Sequence, residues 1–106
     1  MKTRYLIAVI AALSVSATAF AADDAEALFT KSRCSSCHKV DKKTVGPALK
    51  DIAAKYAGDA EAPAKLEKKV RTGGVGVWGT MPMPSMPASV TDADIKILVA
   101  WVLSHK

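Results

Sequence analysis

Cys34-Ser35-Ser36-Cys37-His38 constrains this chain more than any other stretch. Two thiols three positions apart, with an imidazole directly after the second, give C-x-x-C-H, the spacing at which haem is attached covalently. The reason is local geometry. The cysteines sit about one helical turn apart, so each can add to one vinyl group of a single macrocycle. His38 follows at once, so its ring can lie beneath the porphyrin that the thioethers hold. A chain that carries such a group must fold around it. The spacing therefore predicts one covalent haem c, with Cys34 and Cys37 as attachment points and His38 as the proximal iron ligand.

The N-terminal segment agrees with that chemistry. Lys2 and Arg4 precede an apolar run from Tyr5 to Leu13, and small residues lead to Ala19-Phe20-Ala21-Ala22. A basic start, a short apolar middle and an A-x-A site read as a secretory signal peptide. Cleavage after Ala21 places small residues at both positions a signal peptidase inspects, whereas cleavage after Ala22 would put Phe20 at the inner one. The apolar run falls short of the roughly 18 residues that a membrane span needs. The expectation is a signal peptide over residues 1–21, one domain over 22–106, a periplasmic location and no stable membrane insertion after cleavage. Haem is attached to such motifs outside the cytoplasm.

A domain of that size has difficulty building a core from side chains alone. Its aromatic residues are Phe29, Tyr56, Trp78 and Trp101. A buried macrocycle would give them a large apolar surface to pack against. Loss of Lys2 and Arg4 lowers the formal charge from +5 to +3, so the surface is only mildly basic. The lysines are dispersed and no basic-aromatic alternation suggests nucleic acid. Lys31, Lys42, Lys43, Lys50, Lys68 and Lys69 are instead candidates for steering toward an acidic patch on a protein partner.

Apolar periodicity predicts helices and no strands. Asp23 or Asp24 starts a first helix that reaches Lys31, with Ala25, Leu28 and Phe29 on one face. Ala48 to Tyr56 forms a second, with Leu49, Ile52, Ala53 and Tyr56 together. Ala64 to Arg71 forms a third after Pro63, stopped by Gly73 and Gly74. Thr91 and Asp94 resemble a capping box, with Asp in place of Glu, for a last helix that reaches Ser104. Ile95, Leu98, Val99 and Val102 form its apolar stripe. His105, at the frayed end, reads as solvated surface.

Between the last two helices, residues 73–89 hold four of the six glycines and three of the five prolines. A patternless loop that long in a small domain is usually functional. It contains Thr80-Met81-Pro82-Met83-Pro84-Ser85-Met86-Pro87. Thioether sulfur suits haem iron opposite histidine and raises the reduction potential. The flanking prolines fix φ and stiffen the segment that would present it. Spacing alone does not choose among Met81, Met83 and Met86.

Cys34 to His38, Thr44-Val45-Gly46-Pro47-Ala48, Gly76-Val77-Trp78-Gly79 with Pro82-Met83-Pro84, and Ala100-Trp101-Val102-Leu103-Ser104 together resemble the small bacterial class I cytochromes c, within them the c-551/c-552 group. The resemblance covers essentially all of residues 22–106. It implies an all-α fold of about four helices wrapped around one covalent haem. It implies that Met83 is the distal iron ligand, that the Pro47 carbonyl meets the other ring nitrogen of His38, and that the Trp78 indole and Lys69 serve haem propionates. The first and last helices would cross, with Phe29 near Trp101. The chain would be a monomeric electron carrier and not an enzyme. Its redox partners would dock transiently: nitrite reductase or a terminal oxidase as acceptor, and a quinol-linked cytochrome complex as donor. One departure stands out. The family's Pro-Met-Pro-Pro-Asn has Ser85 and Met86 in its last two places here, which leaves Met86 as a competitor for the iron.

Three other chemistries fit less well. A haem enzyme or gas sensor would want distal acid-base groups, and residues 73–89 contain no His, Glu, Asp, Arg or Lys. A thiol oxidoreductase places C-x-x-C at a helix start after a strand, and no strand pattern precedes Cys34. A zinc site would have Cys34, Cys37 and His38 crowded together and only remote His105 as a fourth ligand.

Overall fold

The computed structural model describes residues 22–106, and the predicted signal peptide lies outside the described residues. Helices α1 (Ala22–Lys31), α2 (Leu49–Lys55), α3 (Ala62–Thr72) and α4 (Asp92–Leu103) follow in order, with a 3-10 turn at Cys34–Ser36. The described residues contain no strand, only an isolated antiparallel bridge between Gly74 and Met83. None of their helices is long and apolar enough to cross a membrane.

The helix ends follow local chemistry. Thr91 Oγ1 accepts from the Asp94 N–H at 3.1 Å, and the Asp94 carboxylate accepts from the Thr91 N–H at 3.2 Å. The shorter Asp therefore closes the capping box that the sequence suggests. α3 starts two residues earlier than predicted. The Asp59 side chain takes the Glu61 N–H at 2.9 Å, and Pro63 fits the first turn, where no N–H partner is needed. Lys65 also donates to Asp59 at 3.0 Å and, with that N–H, holds its carboxyl below the usual carboxylate range. The contribution of this exposed pair is present above the carboxyl's unfolded pKa and fades as pH falls through the folded one.

Among the described residues, α4 is the only helix that packs on all three others. Its Ile95, Leu98 and Val99 are buried, and Phe29, Leu49, Ile52 and Leu98 form the central cluster. The Phe29 and Trp101 rings meet with centroids 5.1 Å apart and planes tilted by 56°, so the first and last helices do cross there. Phe29→Ala should lower unfolding free energy by about 3–5 kcal/mol, measured by denaturant titration. A loss below about 1 kcal/mol would mean that the two helices do not depend on this contact.

His105 differs from expectation. It is half-buried, edge-on to Trp101 at 4.5 Å, with Nδ1 2.8 Å from the Trp101 carbonyl. The i, i+4 relation to Trp101 brings the ring back over the end of α4, where last-turn carbonyls lack partners.

Candidate functional site

The motif is positioned by a break in the chain just before it. α1 ends at Lys31, and Arg33 takes a left-handed conformation at φ 64°. That reversal costs a non-glycine residue roughly 1–2 kcal/mol, and it launches the 3-10 turn that begins with Cys34. Cys34 and Cys37 are both half-buried and unbridged. Burial pushes the Cys34 thiol up, with the Cys37 sulfur adding to the shift and a backbone N–H opposing it. A redox-active C-x-x-C pair favours a depressed attacking thiol, so the direction at Cys34 lends the thiol oxidoreductase reading no support.

His38 is held on two sides. Its Nδ1 lies 2.8 Å from the Pro47 carbonyl oxygen. A carbonyl only accepts, so Nδ1 carries the proton and, in the neutral ring, Nε2 is the nitrogen with the lone pair. Gly46 lies flat against the ring: a Cβ there would sit 2.6 Å from Cε1 and 2.9 Å from Nδ1. The Cys37 carbonyl accepts from both the Gly46 N–H and the Thr44 hydroxyl at 2.7 Å. Thr44 and Gly46 thus tie the turn after the motif back to it.

Met83 comes from the loop between α3 and α4. Its N–H donates to the Gly74 carbonyl at 2.8 Å, and its own carbonyl accepts from the Gly74 N–H at 3.0 Å. The preceding Gly73 has φ 67°, and a Cβ there would lie 2.4 Å from the Met83 carbonyl oxygen. A side chain at Gly73 would therefore push the methionine segment away from α3.

These segments wall one cleft. Cys34, Cys37, His38, Pro47, Lys69, Trp78 and Met83, the residues singled out in the sequence, all line it. Phe29, Leu49, Leu98 and Val102 supply apolar wall from three helices. Trp78 stands at the mouth, 42 % exposed, with Lys55 Nζ 5.4 Å from its ring centroid. That distance is within cation–π range. Met81 also lines the cleft but is 64 % exposed, whereas Met86 does not line it.

The residues fit a covalent haem. Two unbridged thiols, an imidazole with a lone pair to spare and a thioether line the same apolar space. A bare metal ion fits poorly, since no group of three or more His, Cys, Asp or Glu among the described residues could hold one. That removes the support for the zinc reading.

Sequence reasoning took Thr44 and Gly46 only as part of a family motif, passed over Lys55, and read Arg71 only as a helix end. The Gly46-Pro47 pair was the one available signal for the backbone that cradles His38. No periodic pattern marks Lys55 over Trp78.

Comparison with known proteins gives a consistent picture. The family model for cytochrome c matches residues 22–106. The chain is 44 % identical to cytochrome c-551 of Pseudomonas aeruginosa over 106 residues, covering all of both chains. It is 46 % identical to cytochrome c-552 of Nitrosomonas europaea, again over the full length of both. The crystal structure of wild-type Nitrosomonas europaea cytochrome c552 matches with a TM-score of 0.72 at 49 % identity, covering 76 % of this chain and 99 % of that one.

Proposed function

The chain belongs to the cytochrome c family, whose members carry covalent haem c, and from that premise we propose that it is a one-electron carrier ligated by His38 and Met83. When bound, the haem would supply Fe(III)/Fe(II) exchange, and His38 and Met83 would be the two side chains that hold its iron. Cys34 and Cys37 would hold the group as thioethers, so that it could not dissociate. The Pro47 carbonyl keeps the His38 proton on Nδ1, which would leave Nε2 to ligate the iron. Met83 presents a soft sulfur that favours the reduced state and raises the potential. Trp78, through its indole N–H, and Lys69, through its ammonium, would hold the propionates; both line the cleft. Phe29, Leu49 and Leu98 keep water from the inner face.

In this reading the protein is not an enzyme. It works as a monomer in the periplasm after removal of residues 1–21. It docks briefly with a quinol-linked cytochrome complex as donor and with nitrite reductase or a terminal oxidase as acceptor. A carrier must leave its partner as readily as it arrives, which suits a small interface.

One observation carries the reading: a single apolar cleft collects the thiol pair, the free imidazole nitrogen and the thioether. Carbon monoxide tests it. The reduced protein at neutral pH should keep its spectrum unchanged under the gas. A prompt shift of the Soret band would show an open iron face and favour a gas sensor or haem enzyme.

A further inference from the structure

We propose that Arg71 is a positioning residue that decides which methionine reaches the iron. The proposal rests on the His38/Met83 ligation put forward above.

Arg71 lies in the last turn of α3, two residues before Gly73. Its guanidinium reaches across to the returning arm of the methionine loop. Nη1 donates to the Pro87 carbonyl at 3.1 Å and lies 3.5 Å from the Met86 carbonyl. Nη2 donates to the Val90 carbonyl at 2.7 Å and to the Asp92 carboxylate at 2.8 Å. One side chain therefore joins the end of α3, the loop and the first residue of α4. Only a planar fork with several fixed donors can serve that many acceptors at once. The Met86 N–H adds a bond to the Val70 carbonyl at 3.3 Å.

The loop thus has two clamps, the Gly74 bridge and the Arg71 fork. The Gly74 bridge fixes the backbone of Met83 itself. Arg71 fixes the backbone from Met86 onward. With both closed, Met83 lines the cleft and Met86 does not. Met86 is only three residues further on, on a chain that carries prolines at 84 and 87. Release of the Arg71 clamp leaves that arm free to swing, and a second thioether then comes within reach. Arg71 acts through the backbone and touches neither sulfur.

Heteronuclear NMR and the far-red sulfur band of the holoprotein test this. In Arg71→Ala, the reduced protein should show two ring-current-shifted methionine methyl signals in place of one, and the second should vanish when Met86→Leu is added. Met83→Ala alone should lack the sulfur band, whereas Met83→Ala with Arg71→Ala should regain it through Met86. Carbon monoxide association should rise about tenfold or more in Arg71→Ala, because bonds from a charged donor are among the stronger ones. A single methyl signal with a lowered melting temperature and nothing else would overturn the proposal and leave Arg71 merely structural. If Arg71→Ala does not fold, Arg71→Lys keeps the charge near Asp92 but loses the fork. It should show a smaller second signal, and an unchanged single signal would again refute the idea. Retention of the sulfur band in Met83→Ala alone would instead overturn the ligand reading on which the proposal stands.

Discussion

Met83→Ala is expected to abolish the far-red sulfur band of the oxidised protein, open the reduced iron to carbon monoxide, and lower the reduction potential. The potential should fall by a sizeable fraction of the ~0.8 V that axial ligands command. The size follows from the ligand's chemistry. A thioether stabilises the ferrous state, and water or a harder ligand in its place does not. The fold should survive, because Met83 is outside the central cluster of Phe29, Leu49, Ile52 and Leu98. Helical circular dichroism should therefore stay near the parent's while the visible spectrum changes. The same substitutions at Met81 and Met86 should leave the band in place. A Met83→Ala protein that keeps the band would move the ligand elsewhere on the loop.

The second large effect concerns the thiols. In Cys34→Ala with Cys37→Ala, haem should become extractable into acidified acetone, where the parent retains its colour. Stability should change in kind as well as amount. A covalent group stabilises the fold without regard to its free concentration. A dissociable one stabilises by mass action, about 2.7 kcal/mol when present at a hundred times its dissociation constant. The melting temperature of the double variant should therefore climb with added haem, and that of the parent should not. A variant whose pigment still resists acid extraction would show that attachment does not run through these sulfurs.

Much of this was legible because short-range chemistry leaves regular marks. The stripe of Ile95, Leu98 and Val99 marks the buried face of α4, and Thr91 with Asp94 marks its start. The thiol-thiol-imidazole run has the spacing of a covalent haem attachment site. The family resemblance supplied the crossing of the first and last helices at Phe29 and Trp101. What stayed hidden depends on where distant segments meet. Residues 73–89 read as structureless, since a bridge of one residue pair, Gly74 with Met83, has no alternation to detect. Arg71 sits among other basic residues in α3, and its carbonyl partners are main-chain atoms that every residue has. Lys55, the last residue of α2, meets Trp78 across a long gap in sequence. His105 was misread because its partner is a carbonyl one turn back, which side-chain periodicity does not report.

α4 also makes the fold interdependent. Among the described helices it alone touches the other three, and its Leu98 completes the cluster of Phe29, Leu49 and Ile52. It stands as a keystone does among arch stones: once it is pulled out, α1, α2 and α3 lose their common support together, so the fold should come apart in one step and not helix by helix.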